Sequence, residues 1–183
     1  MSKRSIYLLG LITLFLFPIP TFVGLYWFEG VFPLEILQLE NLTVFNLGIG
    51  IQLGVVYAYL ALLFMQSPIF NEMPSHVENL VKSMNLNLID CLFISICAGA
   101  GEEILFRSGI QFYLGPIITT LVFVAIHGYL NPFNWKMTLY GLIVLPFIFL
   151  ISYGYNEFGL WFSIGAHFAY DFVLFFTITK SND

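Results

Sequence analysis

Charge is scarce in this chain. Only 9% of its 183 residues are Asp, Glu, Lys or Arg, against about 25% in soluble domains. So few ionised groups cannot clothe a water-facing globule, which excludes an ordinary soluble fold. Basic residues are scarcer still, six against eleven Asp and Glu, for a net charge of −5. No basic patch is present to meet a phosphate backbone, so nucleic acid is not an expected partner. There are two cysteines, Cys91 and Cys97, in one apolar stretch. Six positions apart on a helix, they point in different directions and cannot bridge each other. They read as free core thiols and report nothing about redox compartment. Internal repeats, low-complexity tracts and an HExxH metal signature are all missing. So is the alternating, turn-punctuated pattern of a membrane barrel.

What is abundant is apolar: 59% hydrophobic residues, 21 of them Phe, and a mean hydropathy of +0.89. Lipid is the natural solvent for such a surface. A span needs roughly 20 apolar residues. Six stretches qualify: Ile6–Phe28, Val44–Met65, Leu88–Tyr113, Pro116–Tyr129, Met137–Tyr155 and Gly159–Thr179. The fourth is short and extends into its loops. The first is expected to be a retained span, because its apolar run is too long for a signal peptide and no A-x-A-like site follows. Pro18 and Pro20 should kink it. Without water, only internally bonded helices or closed barrels satisfy a spanning backbone. The expected fold is therefore all-α, a polytopic membrane bundle of about six transmembrane helices. Its parts are an N-terminal helix pair with a polar connector over 1–87 and a four-helix unit over 88–183. The connector, 66–87, reads as a cytoplasmic loop in which His76 is a solvated surface residue.

Charge placement supports the count. With a cytoplasmic N-terminus, six spans put Lys3, Arg4, Lys82, Lys136 and Lys180 on one side of the membrane. The outward loop 29–43 and the turn near Asn156–Phe158 contain no Lys or Arg. That is the positive-inside pattern.

The third span carries Glu102, Glu103 and Arg107 amid apolar residues. An ionised residue at a helix centre costs about 2.5–3.5 kcal/mol, while each Leu, Ile or Phe returns about 0.3–0.6. Three charges facing lipid would cancel the gain of the whole helix, so they must be paired, neutralised or turned inward. Glu103 and Arg107, four apart, can pair. Glu102 lies about 100° round the helix and has no partner on it. The small residues Ala98, Gly99, Ala100 and Gly101 just upstream permit close helix approach, bringing another helix within reach of Glu102. His127 sits at the end of the fourth span, and His167 and Asp171 share one face of the sixth. Intramembrane polar groups seek one another, so all six are expected to converge.

Three spacings now stand in order: EExxxR at Glu102–Arg107, FxxxH at Phe123–His127 and HxxxN/D at His167–Asp171. Together they resemble the CAAX-protease and bacteriocin-processing (CPBP) intramembrane endopeptidases, which include type II CAAX prenyl endopeptidases. The likeness covers about Leu88–Thr179. It implies that 88–183 is a catalytic four-helix unit and that Glu102 and His127 activate a water for attack on an amide. It implies that His167, with Asp171, stabilises the oxyanion, and that Glu103 and Arg107 orient the site. It implies no cofactor and no Ser or Cys nucleophile. Family members commonly carry Asn where this chain has Asp171. An Asp donates to an oxyanion only when protonated, as in ketosteroid isomerase; otherwise it orients His167.

The residues leave other readings open. Glu103, His127 and His167 are acceptable zinc ligands. Ser163, His167 and Asp171 could form a serine relay along one helix. Membrane Glu and His also serve proton-coupled carriers, and a non-enzymatic carrier or scaffold is the remaining alternative. The expected partners are a peptide or protein substrate, lipidated or membrane-associated, and the bilayer itself. A bacterial inner membrane is the expected location.

Overall fold

The computed structural model describes residues 2–68 and 81–180. Most of the expected connector 66–87, including His76, lies outside the described residues. Among those described there are helices and no strands. Helix starts are set by local chemistry. Ser2 caps α1 (Lys3–Phe15), its hydroxyl accepting from the Ser5 amide at 3.2 Å. Helix α1 gives way to α2 (Pro18–Gly24), so the chain breaks its first apolar run where the prolines stand. A π-helical turn, Leu25–Glu29, and a short α3 (Pro33–Ile36) lead to α4 (Val44–Met65), capped by Thr43. Asn87 and Asp90 form a reciprocal capping box on α5 (Leu88–Glu103). After the π-helical segment Ile104–Ile110 come α6 (Gln111–Ile126), α7 (Trp135–Phe158) and α8 (Leu160–Lys180).

Among the described residues, five stretches are long and apolar enough to cross a membrane: Lys3–Glu29, Val44–Met65, Leu88–Ile126, Met137–Phe158 and Leu160–Lys180. The third contains both the expected third and fourth spans. At 39 residues it would be about 58 Å long if straight, twice the ~30 Å hydrocarbon core. It does not run straight. Gly115, at φ 71° and ψ 172°, breaks it just before Pro116. The rings of Phe106 and Phe123 lie 4.8 Å apart, where a straight helix would separate them by roughly 25 Å. The chain therefore doubles back at Gly115, and the expected pair of spans is a hairpin with a short second limb.

Helix α8 is the hub, packing on α4, α5 and α7. Its contact with α4 is the most extensive and depends on small residues. A methyl group at Gly50 or Gly54 would collide with the carbonyls of Phe162 and Ala166. The outer helix faces carry Leu63 at 64% exposure and Ile117 at 62%. Such side chains belong in lipid, and the bundle is an integral membrane protein. Charge separates along its axis. Lys3 pairs with Asp90 at 2.6 Å, and Lys82 and Lys180 line one crevice with Asn87. At the opposite end Gln38 holds Tyr155 at 2.9 Å and the Leu160 amide at 2.9 Å, within a loop that lacks Lys and Arg.

Candidate active site in the bundle interior

The small-residue run before Glu102 serves two neighbours. Gly99 faces α8, where an added methyl would lie 3.0 Å from the Phe168 nitrogen. Gly101 faces α1, where it would strike the Thr13 carbonyl. Close approach on both sides seats the Glu102–Glu103 pair between α1 and α8. The two carboxylates then diverge, as adjacent helical residues must.

Glu103 turns inward and is completely buried, as is Arg107. Its Oε2 accepts from Arg107 Nε at 2.8 Å and its Oε1 meets His167 Nδ1 at 2.8 Å. The other ring nitrogen of His167, Nε2, is 3.5 Å from Asp171 Oδ2. Carboxylate oxygens only accept, so both ring nitrogens of His167 are placed to donate. The second contact is long for a hydrogen bond, which leaves that N–H open to a further acceptor.

Glu102 turns the other way, toward α6. Its Oε2 lies 3.4 Å from His127 Nε2. His127 Nδ1 is 2.7 Å from the Phe123 carbonyl, which can only accept. The Nδ1 position therefore carries the proton, and Nε2 is the nitrogen left facing Glu102. Phe123 fixes the ring from below, stacked at 4.2 Å between centroids, while the Arg107 guanidinium lies 5.5 Å from the centre of the Phe123 ring. The FxxxH spacing thus has a packing reason: Phe123 is the layer between the ion pair and His127.

A cavity of about 310 Å³ is lined by Glu102, His127, His167 and Asp171. Glu103 and Arg107 stand behind that lining. All six expected residues are therefore brought together, in two linked groups. The other readings fare differently. Among the described residues, no three or more His, Cys, Asp or Glu side chains are grouped to hold a metal ion. Both Glu103 oxygens are already engaged by Arg107 and His167. Ser163 gives its hydroxyl to the Ile151 carbonyl at 3.4 Å, and both His167 nitrogens face carboxylates, so no serine relay is assembled.

Sequence reasoning missed the layer behind Arg107. Its Nη1 donates to Ser152 Oγ at 2.6 Å. Ser152 Oγ also meets Thr120 Oγ1 at 3.0 Å. Gln111 Nε2 donates to the Ser152 carbonyl at 2.8 Å and to Asn156 Oδ1 at 3.1 Å. The available signal was Ser152 within the apolar span and Asn156 four residues on at its end, hence on one face.

The fold and this buried cluster define a polytopic membrane protein with a polar site sunk within its bundle. Residues 84–173 match the family described as type II CAAX prenyl endopeptidase, Rce1-like, and all three motifs fall inside the match. The chain belongs to that family through this segment, about half its length. It is thereby a peptide hydrolase of the CAAX-protease type, with a peptide or protein substrate in the membrane. No match was found among curated proteins or among solved structures.

Proposed function

We propose that this protein is an intramembrane endopeptidase that hydrolyses its substrate with a water activated by Glu102 and His127. The observation that carries the reading is the 3.4 Å approach of Glu102 Oε2 to His127 Nε2 at the wall of a cavity shared with His167. A carboxylate oxygen and the second ring nitrogen of an imidazole face each other there, an arrangement in which one mobile proton can be shared between them. The water gives a proton to Glu102 as its oxygen bonds to the scissile carbon. The carbonyl electrons move onto oxygen, where His167 Nε2–H donates to the developing charge. Collapse breaks the C–N bond, and the proton held by the Glu102–His127 pair passes to the leaving amine. Glu103 and Arg107 orient His167, and Asp171 holds its ring from the other side. No acyl-enzyme forms.

In this reading residues 88–183 form the catalytic unit and residues 1–87 an N-terminal pair of spans with their connector. The basic end of the bundle, with Lys3, Lys82 and Lys180, is cytoplasmic, in a bacterial inner membrane. Substrates are lipidated or otherwise membrane-held peptides. The test uses the full chain in proteoliposomes with internally quenched peptides, some bearing a farnesylated cysteine near the C-terminus. Cleavage by the wild type that vanishes in Glu102→Ala is the expected result. Equal signals from the two proteins, or none from either, would overturn the proposal.

A further inference from the structure

The cavity wall also holds phenol groups whose identity no motif specifies. Tyr140 on α7 and Tyr170 on α8 line it together with Glu102, His127 and Asp171. Both are at least nine-tenths buried, at 5% and 6% exposure. Their hydroxyls meet each other at 3.4 Å, long for an O–H···O bond, whose usual distance is about 2.7–2.8 Å. Packing alone does not require the hydroxyls. Tyr170 is stacked on Phe147 at 4.3 Å, a contact that a phenyl ring would make equally well.

A count of donors gives the hydroxyls a purpose. Each phenol has one proton to donate. In a hydroxyl pair only one of the two protons can lie between the oxygens. The second O–H is left to reach a third acceptor at the cavity wall. A tetrahedral oxyanion needs such neutral donors, aimed where charge develops. Asp171, when ionised, offers only acceptors and would repel the oxyanion. His167 has one N–H facing the cavity side and the other committed to Glu103 at 2.8 Å. A single imidazole donor would leave the oxyanion short of partners.

We infer that the Tyr140–Tyr170 hydroxyl pair supplies a donor to the oxyanion, making these tyrosines catalytic residues alongside His167. The inference rests on the peptidase reading above. It predicts that the O–H proton, not the ring, is what the reaction uses.

The test compares Tyr140→Phe, Tyr170→Phe and the double variant with wild type and Glu102→Ala, using the same proteoliposomes and a single quenched peptide that the wild type cleaves. Loss of one oxyanion donor typically lowers kcat about 10²- to 10³-fold. The double variant should lose kcat on that scale, with KM within about threefold of wild type and an unchanged helical circular dichroism spectrum. Adding Asp171→Asn to the double variant should restore at least about tenfold, because an amide donates where a carboxylate cannot. A double variant whose kcat stays within about threefold of wild type, while Glu102→Ala is dead, overturns the inference and spares the peptidase reading. So does a double variant that is inactive and stays inactive with Asn at 171. A Glu102→Ala protein as active as wild type would instead remove the peptidase reading itself.

Discussion

Glu102 Oε2 and His127 Nε2 stand 3.4 Å apart, on opposite limbs of a hairpin whose bend is Gly115. Their meeting depends on the chain doubling back, since nothing in the local sequence of either residue brings them together. Glu102 takes no part in the buried ion pair, so it is separable from the structural charges. Glu102→Gln should therefore lower kcat about 10²- to 10⁴-fold, the range for losing a general base. KM and the thermal unfolding midpoint should stay near wild type. Steady-state kinetics beside a melting curve check this, and a matched fall in stability would show that Glu102 holds the fold instead.

Glu103 should behave in the opposite way. It is completely buried and shared by Arg107 and His167. Removing one partner of a buried pair strands the other charge and costs about 3–5 kcal/mol. Glu103→Ala should lose activity and stability together, whereas Glu102→Gln loses activity alone. Reversible unfolding in mixed detergent measures the difference. Equal stability of the two variants would refute the division of labour between the adjacent carboxylates.

Ser152 extends that buried chain to α7, a helix without any of the three motifs. Its hydroxyl oxygen accepts a hydrogen bond from Arg107 Nη1 at 2.6 Å. A hydrogen bond to a charged group is worth about 1.5–3 kcal/mol, so Ser152→Ala should destabilise by an amount in that range. Its effect on catalysis should fall on kcat rather than KM, since it acts through Arg107, Glu103 and His167. Ser152→Thr, which keeps the hydroxyl, should recover most of the loss. Recovery by Val, of the same shape without the hydroxyl, would show that volume and not hydrogen bonding matters.

The legibility of the site from sequence follows a physical rule. An ionisable residue in an apolar run has no innocent explanation, because lipid cannot solvate it. The clustering of Glu102, Glu103, Arg107, His127, His167 and Asp171 was readable for that reason, and so was the all-helical membrane fold. The hairpin was readable as two spans, although its short second limb and the single continuous helical stretch to Ile126 were not. Ser152, Thr120 and Gln111 stayed hidden because neutral hydroxyls and amides are common in spans and signal little by themselves. Tyr140 and Tyr170 stayed hidden among ten tyrosines that double as ordinary membrane aromatics. The twofold use of the Gly99–Gly101 run was half visible. Close packing was expected, but spacing alone cannot say which helices approach.

That run yields a last prediction. Gly101 touches the Thr13 carbonyl side of α1 and Gly99 touches the Phe168 region of α8. Helix α1 contributes Ile6, Leu9, Gly10 and Thr13 to the cavity wall, while α8 contributes His167 and Asp171. A methyl at Gly101 would overlap backbone, which cannot yield as a side chain can, so α1 must move. A methyl at Gly99 would stand 3.0 Å from the Phe168 nitrogen and 3.2 Å from the Ile164 carbonyl, a tighter fit than normal but one that a small shift of α8 relieves. Overpacking of this kind costs about 1–3 kcal/mol. Gly101→Ala should therefore destabilise more than Gly99→Ala. Its catalytic defect should appear mainly in KM, because the wall that moves carries no reacting group. Gly99→Ala should appear mainly in kcat, because a shift of α8 displaces His167 from Glu103. Kinetic parameters for the two variants, set beside their unfolding midpoints, decide it. The assignment of α1 to substrate contact and α8 to chemistry fails if the two substitutions perturb KM and kcat alike.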